Sequence, residues 1–249
     1  MDEIIYRLRK LIDQSERITI FTGAGISTES GIPDFRSPGG IWSKMTPIRF
    51  QDFVASHEMR KEAWRRKIVI DRDMHNASPN RGHRAVAALV DAGKCNTVIT
   101  QNIDGLHQDS GIGHEQIIEL HGNGTYATCL KCKLRHELEE ILRRFEENEE
   151  LPVCRDCGGV VKTATISFGQ SMPVDEMRRA QQASTECDLF IVLGSSLVVY
   201  PAAGFPQIAK LGGAALVIIN RESTDQDETA ELVVHEEIGE TLGVAVGVD

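Results

Sequence analysis

Three groups of residues in this chain have types and spacings that can do chemistry. The first is a turn: Gly23 to Arg36, reading GAGISTESGIPDFR, follows the apolar run Ile18 to Thr22. A strand that ends in Gly-Ala-Gly and opens into a helical turn offers backbone N–H groups to an anion, because glycine lets the main chain approach closely and tolerates positive φ. A dinucleotide is the natural ligand of such a turn. An ordinary Rossmann fingerprint, however, runs Gly-x-Gly-x-x-Gly and is followed about 20 residues later by an acid ending the second strand. Here the glycines are Gly23, Gly25 and Gly31, and around Ser43 and Lys44 no acid ends an apolar strand. Pro33-Asp34-Phe35-Arg36 follows at once instead. A backbone role alone accounts for a pair of glycines. It does not account for an acid, an aromatic and an arginine behind a proline, which a nucleotide site uses for hydrogen bonding, ring contact and charge.

The second group is Cys129-x-x-Cys132 and Cys154-x-x-Cys157, with 21 residues between the pairs. Each pair makes a tight knuckle, and two knuckles close a four-thiolate tetrahedron, the spacing of a zinc module. A redox dithiol is the competing reading; two pairs in one short insert favour zinc. Four protein ligands leave no open position for water, so such a zinc is structural. Cys95 and Cys187 sit in apolar sequence and read as core thiols.

The third group is a set of polar strand ends. In an open parallel sheet, ligands bind beyond the carboxyl ends of the strands. Four apolar runs end in polar groups: Gly23 to Arg36, Gln101-Asn102-Ile103-Asp104, His121-Gly122 and Gly194-Ser195-Ser196, with Asn220 a fifth. Any one of these serves equally as a structural cap, and their coincidence at one edge is what points to a site. His121 has the chemistry of a general base near neutral pH. Asn102 and Asp104 can read an amide, and Ser195, Ser196 and Asn220 a phosphate or ribose hydroxyl. His57, His75, His83, His107, His114, His136 and His235 have no comparable setting and read as surface or helix-packing residues.

The elements that must position these groups alternate. Ile4, Ile5, Leu8, Leu11 and Ile12 form one helical face, before the strand Ile18 to Thr22. Residues 36–80, with Trp42 and Trp64, read as short helices and a mobile loop over the site. Pro79-Asn80 opens a helix carrying Ala85, Val86, Leu89 and Val90, followed by strands Asn96 to Thr100 and Ile117 to Leu120. Helix Glu137 to Glu150 lies between the cysteine pairs. Then come strand Thr165 to Phe168, helix Val174 to Cys187, strand Leu189 to Leu193, helix Ala202 to Leu211, strand Ala215 to Asn220 and a last strand-helix pair from Leu232. This alternation specifies an α/β fold, a Rossmann-like doubly wound parallel sheet, with a small zinc-binding and helical domain inserted. The boundaries expected are 1–35, 80–122 and 170–249 for the large domain, and 36–79 and 123–169 for the small one.

Bulk composition bounds the rest. The 249 residues are 41% hydrophobic and 26% charged, enough for a substantial core. A net charge of −10 argues against a broad nucleic-acid footprint, and acidity of this size serves solubility. No apolar run approaches a membrane span, and MDEIIYRLRKLIDQ reads as an amphipathic helix rather than a signal peptide. A cytoplasmic, reducing compartment is expected, in which six cysteines are not a disulfide framework.

Together GAGIST with GIPDFR, QNID, His-Gly after a strand, the two Cys-x-x-Cys pairs, Phe-Gly after the insert, GSSLVVYP and an Asn-ending late strand resemble the sirtuin family of NAD-dependent protein lysine deacylases over nearly the whole chain. The resemblance implies that NAD and an acyl-lysine peptide meet between the two domains. It implies Gly23, Ala24, Gly25, Thr28, Asp34, Phe35 and Arg36 around the NAD phosphates and the ribose near nicotinamide, and Gln101, Asn102, Ile103 and Asp104 in the nicotinamide pocket. By the same resemblance His121 is the base, with Asn102 beside it as a catalytic residue, and Gly194, Ser195, Ser196, Asn220 and the segment around Ile238 hold the adenosine half. The peptide adds as a strand between Ile166, Phe168, Gly169 and the segment of Val198. NAD is then consumed, giving nicotinamide, O-acyl-ADP-ribose and free lysine; NAD hydrolysis or ADP-ribosyl transfer at the same site is the alternative. A monomer with one structural zinc is expected. Lys162-Thr163 stands where many members have Arg-Pro, and Gln170 where Glu often follows Phe-Gly. Members preferring acidic acyl groups carry Tyr-x-x-Arg before Pro-Asn; Ala63-Trp64-Arg65-Arg66 lacks that tyrosine, so an uncharged acyl chain such as acetyl is expected.

Overall fold

The computed structural model describes residues 1–37, 39–74 and 76–249, with the side chains of Lys44 and Asp73 left aside. Among the described residues nine strands run in chain order: β1 (Ile18–Thr22), β2 (Cys95–Thr100), β3 (Ile117–Glu119), β4 (Gly122–Cys129), β5 (Arg135–Glu137), β6 (Val161–Thr165), β7 (Leu189–Leu193), β8 (Ala215–Ile219) and β9 (Leu232–Val234). All five residues of β1 and of β7 are buried, the mark of a strand covered on both faces. Six strands form one parallel sheet in the order β3-β2-β1-β7-β8-β9. Leaving out β4 to β6, this is the Rossmann order, which reverses direction between β1 and β7.

Each face of the sheet is sealed by helices whose apolar stripes the sequence carries. On one face Ile18, Ile20, Leu189, Ile191, Leu193, Val217 and Ile219 meet Ile5, Leu8 and Ile12 of helix Asp2–Gln14 and Ala85, Val86, Leu89 and Val90 of helix Arg81–Asp91. On the other, Phe21, Phe190, Val192, Leu216 and Ile218 meet Ala180 of helix Val174–Glu186 and Phe205 and Ala209 of helix Phe205–Leu211. A fully buried aliphatic or aromatic side chain contributes about 1.5–3 kcal/mol, whereas an exposed ion pair contributes about 0–1 kcal/mol. The two apolar layers therefore hold the sheet, and the many surface ion pairs do not.

A second, antiparallel sheet, β5-β4-β6, packs with helix Leu138–Asn148 around Trp64, Phe145, Val161, Cys129 and Cys154. It departs from the sequence reading in two ways. The strand expected at Thr165 to Phe168 lies earlier, at β6, and pairs with β4, while Ile166 and Ser167 lie outside any strand and Phe168 and Gly169 form a turn. Strand β4 was not foreseen, because its first residues, Gly-Asn-Gly-Thr, have weak strand propensity. Its later residues supply what propensity lacks, since Ala127 and Thr128 pair on both sides, while of the start only Gly122 has a register partner, Thr165, before an irregularity between Gly122 and Ala127.

Residues 36–80 also differ from expectation, since they include an 18-residue helix, His57–Met74. Its sequence hides it: among the described side chains Trp64 is its one nearly inaccessible residue, while Glu62 with Arg66 and Lys67 with Asp71 pair one turn apart along its surface.

Asn80 joins this region to the sheet. Its Oδ1 caps helix Arg81–Asp91 by accepting from Gly82 N (2.8 Å) and His83 N (3.2 Å), and its Nδ2 donates to Ile26 O (2.7 Å) and Ser30 Oγ (2.9 Å). Loss of an N-cap costs about 1–2 kcal/mol. Asn80→Ala is therefore expected to lower unfolding free energy by at least about 1 kcal/mol in urea titration, since the two turn-holding bonds go with the cap.

Candidate active site and metal centre

Where the strand order reverses, the turns after β1 and β7 meet backbone to backbone. Gly25 N donates to Gly194 O (2.8 Å) and Gly23 N to Leu193 O (3.0 Å). A Cβ on Gly23 would lie 2.6 Å from Gly194 O, one on Gly25 2.6 Å from Gly194 Cα, and one on Gly194, whose φ is +62°, 2.4 Å from Ile26 N. This corrects the reading of the turn as a row of bare donors. The N–H groups of Gly23 and Gly25 are bound within the protein, and the glycines are needed because two main chains touch. Ala24 N remains, without a protein partner among the described residues, at the start of the 3-10 helix Ala24–Ser30.

The end of β2 docks onto this junction. Gln101 Nε2 donates to Ser195 Oγ (2.8 Å), and buried Asn102 Nδ2 donates to Gly23 O (3.0 Å) and Ser27 Oγ (3.2 Å). Ser27 Oγ donates onward to Asp104 Oδ2 (2.7 Å), while Leu106 N donates to Asp104 Oδ1 (3.0 Å). Burial raises the Asp104 carboxyl above its ordinary value, with these two donors opposing the shift. Ser27 thus ties Asn102 to Asp104, a link that sequence reasoning missed because Ser27 sits inside the turn motif and read as turn chemistry. Ile103 O accepts from Gly124 N (2.7 Å), which fixes the start of β4 against the same segment.

His121 follows β3. Its Nδ1 lies 3.1 Å from Gln101 O, and a carbonyl only accepts, so Nδ1 carries the proton. Nε2 is then the lone-pair nitrogen, and among the described residues no protein donor reaches it. Burial lowers the His121 pKa; the Gln101 carbonyl opposes this and the Arg36 charge adds to it. The ring is neutral near pH 7 and can take a proton at Nε2.

The tail of the turn forms a wall. Asp34 Oδ1 accepts from Arg36 N (2.9 Å) and Ser37 N (2.8 Å), so one carboxylate oxygen shapes the loop itself. Phe35 and Trp42 rings lie 5.4 Å apart, Trp42 and Phe168 also 5.4 Å, and the Arg36 guanidinium stands 4.2 Å over Trp42. Trp42, which sequence reasoning left unassigned, is what joins Phe35 and Arg36 to Phe168. The Phe35-x-x-x-x-x-x-Trp42 pairing of two aromatics in a polar loop was the available signal.

Other expected positions are used differently. Thr28 Oγ1 donates to Gly25 O (2.9 Å), closing its own turn. Asn220 Nδ2 donates to Glu222 O (2.7 Å) and its carbonyl accepts from His235 Nδ1 (2.8 Å). The Ile238 side chain is buried in the core beside Gly82, so only its backbone can face a ligand. Ser196 is exposed and Ser195 buried. Phe168 O accepts from Phe50 N (2.9 Å) and Ile166 N donates to His121 O (2.7 Å); Gly169 O accepts from Gln51 Nε2 (3.3 Å). Among the described residues, Phe168 N and Val198 N have no protein partner. Of the remaining histidines, His57, His114 and His235 are exposed, while His83, His107 and His136 are buried and His75 lies outside the described residues.

The four cysteines converge. One Sγ from each of Cys129, Cys132, Cys154 and Cys157 lies within 4.8 Å of every other, close enough to share one ion. Lys131 N (3.4 Å) and Cys132 N (3.5 Å) donate to Cys129 Sγ, and the thiol is lowered to about 6, chiefly by the Cys132 N–H. A Cβ on Gly159 would lie 2.9 Å from Cys129 Sγ and 3.2 Å from Cys157 Sγ, so the second knuckle needs glycine to let the sulfurs close.

A Rossmann sheet with a polar switch-point cleft and a tetrathiolate insert defines a dinucleotide-binding α/β protein carrying a structural metal module. Residues 23–201 match the Sir2 family. The chain is 58% identical over 243 residues, 98% of its length and 95% of the relative's, to "NAD-dependent protein deacetylase 1" of Bradyrhizobium diazoefficiens. It is 40% identical to the Thermotoga maritima "NAD-dependent protein deacetylase" over 89% of each chain. A solved Sir2 structure with a p53 peptide and NAD+ matches with a TM-score of 0.87 at 35% identity, covering 98% of this chain and 97% of that one. Another, with a deacetylated p53 peptide and 3′-O-acetyl ADP-ribose, matches at 0.88 and 38%, covering 97% and 96%. The chain belongs to the Sir2 family.

The glycine junction makes a direct prediction. Gly194→Ala is expected to lower unfolding free energy by about 2 kcal/mol or more, because the new Cβ meets main chain that cannot move aside and φ is positive. Denaturant titration with unchanged m-value checks it.

Proposed function

We propose that this chain is an NAD-dependent protein deacetylase that converts acetyl-lysine, NAD and water into lysine, nicotinamide and O-acetyl-ADP-ribose. The observation that carries the reading is His121, with Nδ1 fixed on Gln101 O and Nε2 without a protein donor among the described residues. Among the groups at that strand edge without protein partners in the described residues are Ala24 N, Asn102 Oδ1, His121 Nε2 and Ser196 Oγ. One donor, two acceptors and a hydroxyl fit a ligand bearing phosphate, amide and ribose hydroxyls. NAD, when bound, supplies an electrophilic anomeric carbon with nicotinamide as leaving group, and a ribose hydroxyl that takes over the acyl group.

The residues divide that work. Gly23, Ala24, Gly25, Thr28, Asp34, Phe35 and Arg36 surround the phosphates and nearby ribose, with Arg36 held over Trp42. Gln101, Asn102, Ile103 and Asp104 form the nicotinamide side. Gly194, Ser195, Ser196, Asn220 and the backbone at Ile238 take the adenosine half. Nε2 of His121 accepts the proton of the attacking hydroxyl, and the Gln101 carbonyl stabilises the imidazolium that results. The peptide adds as a strand between Ile166, Phe168 and Gly169 on one side and Val198 on the other, supported by the open N–H groups of Phe168 and Val198.

An uncharged acyl group fits the helix before Asn80. Arg65 is engaged by Glu149 (2.7 Å) and Glu58 (2.8 Å), and Arg66 by Glu62 (2.6 Å), so neither arginine is free for an acidic chain. Residues 1–35, 80–122 and 170–249 act as the cofactor domain, and 36–79 with 123–169 as the small domain. Cys129, Cys132, Cys154 and Cys157 hold one zinc, which organises the small domain and takes no part in chemistry. The protein works as a monomer in the cytoplasm, where its thiols stay reduced. No described helix is long and apolar enough to cross a membrane.

Two measurements test this. His121→Ala is expected to lower lysine release from acetyl-lysine peptides by about 10²-fold or more; wild-type protein that releases no nicotinamide above this variant would sink the reading, and label from NAD retained on protein would favour ADP-ribosyl transfer. Because burial depresses the His121 pKa, the base stays neutral until pH falls below about 6.5, so the acidic limb of the kcat/KM profile is expected below that of an ordinary histidine. For the metal, elemental analysis is expected to give about one zinc per chain, and Cys132→Ser to lose both the metal and the melting transition of the small domain.

A further inference from the structure

Directly beneath the catalytic edge lies a buried polar run that none of the steps above uses. Thr22 and Thr100, register partners at the ends of β1 and β2, are 0% and 3% exposed, and Thr22 Oγ1 donates to Thr100 Oγ1 at 2.8 Å. Thr100 Oγ1 also accepts from Asn102 N (3.0 Å). On the other side, Thr22 Oγ1 lies 2.9 Å from Nε2 of His107, which sits on the short helix Leu106–Asp109 that follows Asp104. The His107 ring is 5.1 Å, centroid to centroid, from that of His83 at the start of helix Arg81–Asp91. Both rings are almost inaccessible, at 2% and 0%. The sequence reading of surface or packing histidines recovers only their burial.

The direction of the hydrogen bonds can be worked out. Burial pushes His83 down to about 4 and His107 to about 3, so both rings are neutral and each has one donor and one acceptor nitrogen. Asn80 N–H points at His83 Nδ1 (3.4 Å), which must accept, so the His83 proton is on Nε2. His83 Nε2 and His107 Nδ1 are the ring nitrogens without protein partners. Were the His107 proton on Nδ1, two neighbouring buried rings would offer two donors and no acceptor. With the proton on Nε2, His107 Nδ1 complements the His83 donor, and His107 donates to Thr22, which donates to Thr100, whose lone pairs receive Asn102 N–H. His107, Thr22 and Thr100 thus link the short helix Leu106–Asp109 to the main chain of Asn102, with Thr100 Oγ1 accepting from both sides, while His83 meets His107 by ring contact and no hydrogen bond.

We infer that His107 is a positioning residue, which orients Asn102 through the hydroxyls of Thr22 and Thr100. Asn102 is held at its main-chain N by Thr100 and at Nδ2 by Gly23 O and Ser27 Oγ, and these anchors set where its open Oδ1 points. The catalytic consequence rests on the deacetylase reading; the order of the hydrogen bonds does not.

The test uses the full chain. Thr22→Val removes the hydroxyl at nearly constant volume, and Thr22→Ser restores it at a smaller one. Thr22→Val is expected to lower kcat for nicotinamide release with an acetyl-lysine peptide about tenfold, with the NAD KM within about twofold, and Thr22→Ser to recover to within about threefold of wild type. Long-range 1H–15N spectra of histidine-labelled protein are expected to show His107 protonated at Nε2 in wild type and Thr22→Ser, with the Nε2 resonance displaced in Thr22→Val. A wild-type His107 protonated at Nδ1 overturns the inference whatever the activity. So does a Thr22→Val enzyme with wild-type kcat, or a Thr22→Ser enzyme as impaired as Thr22→Val, which would reveal packing alone. If wild-type protein releases no nicotinamide, the deacetylase reading and the positioning role fall together, and the spectra still decide the hydrogen-bond order.

Discussion

The close approach of two main chains at the β1–β7 boundary is the constraint on which the rest depends. Gly23, Gly25 and Gly194 stand where a Cβ on any one would lie within 2.6 Å of an atom of the opposing turn. The parallel sheet makes the contact unavoidable, because its order reverses there and both strands end at the same edge. A helix-to-sheet gap is filled by side chains and adapts by repacking; a backbone-to-backbone contact has no such freedom. The end of β2 then registers on the junction through Asn102 and Gln101, and β3 delivers His121 onto the carbonyl of Gln101. Each step inherits its position from the one before.

Chemistry at the edge comes from which polar groups the protein leaves unpaired. Most of those there are engaged: the Gly25 N–H by Gly194, the Asn102 amide donors by Gly23 and Ser27, one Asp34 oxygen by its own loop. A buried polar group without a partner is costly, so the exceptions stand out. His121 shows the principle most clearly. One nitrogen is tied down, which assigns the proton, and that assignment leaves the other as a base. Trp42, in contact with both Phe35 and Phe168, connects the turn to the segment after β6.

Much of this was legible in the chain, and for a physical reason in each case. Short uninterrupted apolar runs such as Leu189 to Leu193, alternating with helical patterns, read as strands buried on both faces, so the parallel sheet followed from them. Cysteine spacing announced the tetrathiolate because a knuckle is a local structure. Helix His57–Met74 was not legible, because its anchor in the small core is Trp64 with partly buried Ile68 rather than a continuous apolar stripe, and the rest of its surface is largely charged. Strand β4 was not, because it is held by pairing of its later residues, Tyr126 to Cys129, with β5 and β6, which its glycine-rich start does not announce. The search for an acid about 20 residues beyond the turn looked in a segment that the fold places elsewhere: β2 begins at Cys95, after the inserted helices.

The division falls between short-range and long-range physics. Residue types, local spacing and periodicity, which the chain carries by itself, determined the fold class, the thiolate knuckles, the polar strand ends and the presence of a histidine, His121, at one of them. Tertiary structure alone decided which atoms were free to act. Only the fold brings Gly194 against Gly25, Ser27 between Asn102 and Asp104, and the Gln101 carbonyl onto Nδ1 of His121. Hydrogen-bond partners many residues apart in sequence cannot be read from local pattern, since a donor's availability depends on every acceptor the packing brings within reach.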